Sequence, residues 1–110
     1  MEVQAITRNA RASAQKVREV VRQVQGLPAE RAVALLAAVP RKSARLVSKT
    51  LKSAMANAEN NKNVKPDKLW IRQAVAGVAT PLKRAVHKAR GSFGPIIKRR
   101  CHIKIVLSDE

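Results

Sequence analysis

A chain of 110 residues with 23 Lys and Arg against 7 Asp and Glu carries a formal net charge of +16. That length suits one domain, and that charge opposes compaction while favouring nucleic acid or an anionic membrane. Trp70 and Phe93 are the sole aromatics and Cys101 the sole cysteine, so stacked aromatic platforms for single strands and an internal disulfide are both excluded.

Met1 to Arg8 alternates, with Val3 and Ala5 on one face and Glu2, Gln4 and Ile6 on the other. This predicts a short strand, with Arg8 and Arg11 following in a loop. Nothing here resembles the apolar run of a signal peptide, and nothing later approaches a membrane span. The expected location is the cytoplasm, with no membrane contact.

Ser13 suits the N-cap of a first helix. Val17, Val20, Val21 and Val24 follow on one helical face, with Lys16, Arg18 and Arg22 away from its centre. Gly26 is placed to end it. Pro28 fits the first position of a second, short helix with Glu30 in its first turn. Ala32, Leu35, Leu36 and Val39 form its stripe, and Pro40 stops it.

The third helix is the longest, roughly 42–60. Ala44, Val47, Leu51, Ala54, Met55 and Ala58 make a narrow apolar seam. Lys42, Arg45, Lys49 and Lys52 fall three or four apart, a single basic stripe. No carboxylate before Glu59 on that helix can pair with it. Asn60, Asn61 and Asn63 read as the helix end and a loop, closed by Pro66.

Residues 69–78 are strand-like, with Leu69, Ile71 and Val75 on one face and Trp70, Arg72 and Ala74 on the other. From Arg99 to Leu107 the alternation is clean: Cys101, Ile103, Ile105 and Leu107 one way, Arg100, His102 and Lys104 the other. Between these strands lies Thr80 to Arg100, with Lys83, Arg84, Lys88, Arg90, Lys98, Arg99, Arg100 and His87. No acidic residue occurs between Asp67 and Asp109. Gly91, Ser92, Gly94 and Pro95 supply turn chemistry. The prediction is an extended basic hairpin over about 80–100. Arms of about 10 residues at ~3.3 Å each give it a reach of about 30 Å. A two-stranded ribbon is marginal alone, so it calls for a polyanionic partner. The element order, β-α-α-α-β-hairpin-β, predicts an α+β fold: a three-stranded antiparallel sheet, three helices packed on one face, and a long protruding hairpin.

Three stretches together resemble a known family: SAMANAENN (53–61), the run from Lys83 to Gly91 in which six residues separate the Lys83-Arg84 pair from Gly91, and IIKRRCHIKIVLSDE (96–110). The chain is similar over its whole length to the bacterial large-ribosomal-subunit protein numbered twenty-two. It departs from the usual pattern at Ser13-Ala14, where the family has Ser-Pro. It departs again at Ser92, where an arginine often follows the tip glycine, and at Arg100-Cys101, where Thr-Ser is usual. The resemblance implies a structural constituent of the large subunit, one rRNA-binding domain over 1–110, that supports early subunit assembly. It implies that the hairpin threads through rRNA and that its tip lines the nascent-peptide exit tunnel, near where macrolides bind. The implied partners are large-subunit rRNA, neighbouring ribosomal proteins and the nascent peptide, with a monomer off the ribosome.

The residues assigned to rRNA are Arg8, Arg11, Lys16, Arg18, Lys42, Arg45, Lys49, Lys52, Asn57, Asn60, Lys83, Arg84, His87, Lys88, Arg90, Lys98, Arg99, Arg100 and His102. The tunnel tip is assigned to Lys88, Ala89, Arg90, Gly91, Ser92, Phe93 and Gly94. Asn57, Asn60 and Asn61 fit helix capping or RNA bonding equally. Trp70 reads as sheet-edge packing and Cys101 as a small core hydrophobe. No enzyme is expected, because no carboxylate lies near His102 in sequence to orient it and Cys101 lacks a base. One Cys and two His cannot make a structural zinc site, so neither metal nor cofactor is expected. The alternative is a small basic DNA-binding protein of nucleoid type, with the first two helices as a helix-turn-helix. A second helix with Arg31 alone among its early residues would read a major groove poorly.

Overall fold

The computed structural model describes residues 2–109. Met1, which opens the predicted first strand, and Glu110 lie outside them. The elements are β1 (Glu2–Ala10), α1 (Ala14–Val24), α2 (Ala29–Ala38), α3 (Lys42–Lys62), β2 (Trp70–Val78), β3 (Leu82–His87), β4 (Phe93–Lys98) and β5 (Cys101–Ser108). This is an α+β architecture. One antiparallel sheet has the order β1-β5-β2, and β3 pairs with β4 in a second, two-stranded sheet.

The C-terminal strand is central because its sequence demands the most burial. Cys101, Ile103, Ile105 and Leu107 are fully buried, each aliphatic among them contributing about 1.5–3 kcal/mol. β1 flanks it with Val3 and Ala5 inward, as its alternation predicts. Arg8 is part of β1, not of a following loop. The chain instead bulges there, with Arg8 and Asn9 opposite the single residue His102, between the pairs Thr7–Ile103 and Ala10–Cys101.

The helices lie on the inner face of this sheet. α1 packs on β2, α3 on β1 and β5, and α2 on α3. Ser13 caps α1, its Oγ accepting from the Lys16 N–H at 3.4 Å. Gly26 follows the helix at φ 83°, a conformation that carries no Cβ penalty for glycine. Its N–H then donates to the Ile71 carbonyl at 2.9 Å, and Ile71 donates back to Leu27 at 2.9 Å. The α1–α2 connection thereby covers the start of edge strand β2. Pro28 is the N-cap of α2 rather than its first residue. α3 runs two residues past the predicted Asn60 and ends on Asn63 in the left-handed region. Its seam of Ala44, Val47, Leu51, Ala54 and Ala58 is fully buried. Thr50 links it to the sheet, sharing a 2.6 Å hydroxyl bond with Thr7.

Two larger predicted features are corrected as well. The register of β2 shifts between Ile71 and Gln73, and the inversion reverses the predicted faces beyond it. Ala74 and Ala76 are buried, whereas Val75 is exposed. The small alanines allow α1 to approach, and Arg18 Nε reaches the Ala76 carbonyl at 3.1 Å. The chain reversal also comes earlier than Gly91 to Pro95. It is closed by Lys88 N–H to Ser92 O at 2.7 Å and Ser92 N–H to Ala89 O at 3.3 Å, with Arg90 and Gly91 both at positive φ. Gly94 and Pro95 belong to β4, opposite Val86 and Ala85. A proline fits because β4 pairs on one side only. Each paired arm has six residues, or about 20 Å, shorter than the expected arms.

Candidate nucleic-acid interface

The stripe on α3 forms because its opposite face is committed to the core. With Ala44, Val47, Leu51, Ala54 and Ala58 turned inward, Lys42, Arg45, Lys49 and Lys52 are all exposed. Among the described residues none of the four pairs with a carboxylate. Lys42 and Arg45 also stand in the first helical turn, which has no acidic residue and no side-chain cap. Cations at that end oppose the helix dipole. The placement costs the isolated fold stability, and an external anion would offset it.

Lys42 joins the stripe to a second group of cations. Leu36 to Arg41 and the stripe line one groove. Arg11, Lys16, Arg41, Lys42 and Arg99 line an adjoining groove of about 910 Å³. The single acid on that surface, Glu19, is paired with Arg41. Arg41 connects the two grooves and was not among the predicted residues. It precedes a helix rather than lying in its periodic pattern, so the 3.6-residue spacing does not reveal it. Arg18, Arg99 and Arg100 come together behind the start of α1. Arg100 Nε donates to the Thr80 carbonyl at 2.8 Å, and Ala79 N–H to the Arg100 carbonyl at 3.2 Å. These bonds close the root of the β3–β4 ribbon. A cationic surface thus runs from α3, past the start of α1, to the ribbon.

On the ribbon, Lys83, Arg84, His87, Lys88, Arg90 and Lys98 are exposed. Arg84 Nη1 is held by the Lys83 carbonyl at 2.8 Å. The rings of His87 and Phe93 meet at 4.7 Å between centroids, leaving Phe93 63% exposed. Lys88 lies across Gly94, where a Cβ would sit 2.2 Å from its Cε. Elsewhere, Asn57 Nδ2 donates to the Gln4 carbonyl at 3.3 Å, which ties α3 to β1. Asn60 is exposed beyond it. Arg8 and His102 lie on the opposite, outer face of the main sheet, away from the stripe.

Cys101 is buried and unpaired with another cysteine, and burial pushes its thiol pKa up. This is the reverse of an activated nucleophile. No group of three or more His, Cys, Asp or Glu among the described residues is placed to hold a metal ion. No helix among them is long and apolar enough to cross a membrane. α2, the would-be recognition helix, exposes Arg31 as its one cation, which does not favour the helix-turn-helix alternative.

An α+β fold with this much unpaired positive charge is that of a small, basic protein of the polyanion-binding class. The profile of the family described as ribosomal protein L22p/L17e matches residues 5–108, and the chain belongs to that family. It is 51% identical over 109 residues to "Large ribosomal subunit protein uL22" of Opitutus terrae, covering 99% of this chain and 96% of that one. A protein of the same description from Chloroflexus aggregans is 44% identical over 110 residues, 100% of this chain and 97% of that one. One from Akkermansia muciniphila is 42% identical over 110 residues, 100% and 98% respectively. The chain is therefore a structural constituent of the large subunit of the cytoplasmic bacterial ribosome, and not an enzyme. It associates with that subunit's RNA and proteins.

Proposed function

We propose that residues 1–110 act as one rRNA-binding domain with two working surfaces. The first is the α3 stripe with its continuation through Arg11, Lys16 and Lys42, gripping large-subunit rRNA on phosphates. The second is the basic hairpin of about 80–100, which extends through rRNA and carries Lys88 to Gly94 to the wall of the nascent-peptide exit tunnel, against the nascent peptide. Early binding by the first surface supports subunit assembly, and off the ribosome the protein is a monomer. The observation that carries the reading is the cationic surface from Lys52 to the root of the ribbon, lined by a single acid, Glu19, which pairs with Arg41 and leaves the other cations without a carboxylate. The long dimension of the molecule, 62 Å against 26 and 17 Å, is in keeping with a ribbon that projects.

The test is a salt titration of binding to a large-subunit rRNA fragment. If the two surfaces neutralise about 8 phosphates, log affinity falls against log salt with a slope of about −7, taking the duplex coefficient as a guide. Lys49→Glu with Lys52→Glu should weaken binding and make the slope shallower. A flat salt response, or full affinity after double charge reversal, would refute the stripe as a binding surface.

A further inference from the structure

The outer face of the main sheet, opposite the helices, has its own chemistry. The register sets Ile6, Lys104 and Val75 in one row across β1, β5 and β2. In the next row His102 stands between the Arg8–Asn9 bulge and Gly77. Ile6 is 46% exposed and Val75 38%, so the apolar floor of this face is open. These residues, with Thr80, line an open groove of about 640 Å³, within the roughly 300–1,000 Å³ of small-molecule clefts.

Three features specify the occupant. A Cβ built on Gly77 meets nothing within 4 Å, so the strand is bare there and leaves a notch one side chain wide beside His102. The bulge presents the Asn9 N–H to His102 Nδ1 at 3.1 Å. Because Nδ1 accepts, the proton of the neutral ring sits on Nε2, which remains as a donor. Finally, the rim supplies Arg8, Lys104 and that Nε2–H, while no acidic residue lines the groove. Apart from the Thr80 hydroxyl and the Asn9 amide oxygen, its side chains offer only donors, two of them cationic. A peptide strand brings equal numbers of N–H donors and carbonyl acceptors and no backbone charge, whereas a nucleotide brings a phosphate anion to match Arg8 and Lys104, acceptors on its base edge and an apolar face.

We infer that this groove seats one unstacked RNA nucleotide. The base lies over the bare backbone at Gly77, against Val75 and Ile6, with an edge acceptor on His102 Nε2–H, and the phosphate is held by Arg8 and Lys104. The inference rests on the reading of the chain as an rRNA-binding protein and adds to it a base contact on the face away from the α3 stripe.

Chemical probing of base edges on large-subunit rRNA, free and bound to the whole protein, tests it. One or two unpaired nucleotides should lose reactivity on binding. Gly77→Leu, which fills the notch with a strand-compatible side chain, should restore their reactivity and lower affinity about 10-fold, the loss of one seated base and its hydrogen bond. Protections over the α3 stripe should persist. His102→Ala removes the donor with the notch left open, and carries the same expectation should Gly77→Leu fail to fold. Unchanged protections and affinity in the folded variants would overturn the inference. So would variants that keep every RNA protection but lose contact with a neighbouring ribosomal protein, because the groove would then hold a protein segment. An absence of protection anywhere, the stripe included, would instead refute the rRNA-binding reading beneath it.

Discussion

Cys101 shows how one residue's chemistry follows from its place in the sheet. It is fully buried, and desolvation of the thiolate raises its pKa. The native protein should therefore resist iodoacetamide at neutral pH and react once unfolded, as mass spectrometry would show. The same shift has a stability consequence. A group with a raised folded pKa contributes fully below its unfolded value, and that contribution is lost as pH rises through the folded one. Melting temperature should thus decline above about pH 9, the ordinary thiol range. The decline should flatten in Cys101→Ala once that variant's own lower baseline is subtracted. The alternation of residues 101–107 made this burial legible in the sequence, with no knowledge of what packs above. Trp70 was legible too as an edge residue, and remains 48% exposed on β2. The His102 tautomer was not legible, because it depends on a bulge 93 residues away in sequence.

At the scale of elements, periodicity was informative where one helix face or strand face meets one layer. The valine face of α1 and the alanine-leucine seam of α3 are buried as spaced. Leu51→Ala should cost about 2–5 kcal/mol in urea unfolding, whereas Lys49→Ala on the opposite face should stay within about 0.5 kcal/mol. Periodicity misled in β2, because a bulge is a response to packing rather than a local preference. Ile71 and Val75 share sequence parity, yet α1 needs the small side chains of Ala74 and Ala76 beneath it. It misled again in the ribbon. Glycine and proline marked 91–95 as the turn, but the His87–Phe93 ring contact and Lys88 lying over Gly94 fix a register in which the chain turns at 88–92. That register makes a sharp prediction. His87 and Phe93 are directly opposed, so replacing 88–92 by Asn-Gly should give a two-residue hairpin of the primed type. Few buried contacts are removed, so melting should shift by no more than a few degrees. Subunit incorporation should persist while macrolide sensitivity changes. A lost cooperative melt would mean the turn belongs to the core, and an unaltered macrolide response would put the tip elsewhere than the tunnel.

For the whole molecule, shape and charge point the same way. The radius of gyration is 16.9 Å, against about 13 Å for a compact chain of this length. The excess is charge-bearing surface rather than core. With a net charge of +16, the free fold works against its own repulsion, which a screening length of about 10 Å at about 0.1 M salt relieves only in part. Salt should therefore act in opposite senses on the two states. Raising sodium chloride from about 0.05 to about 0.5 M should raise the melting temperature of the free protein, while the same change weakens its hold on rRNA by orders of magnitude. The Lys49→Glu, Lys52→Glu variant separates these effects. Each replacement changes the charge by −2, so +16 − 4 leaves +12. At low salt this variant should melt higher than the parent, because neighbouring cations such as Arg45 gain partners at helical spacing. It should nonetheless bind rRNA less well. Calorimetry on the free proteins at both salt concentrations, beside the binding titration, checks the pair of outcomes. If the reversed-charge protein melts lower at low salt as well as binding worse, the stripe contributes to the fold, and its cations are not held at the fold's expense for the sake of RNA.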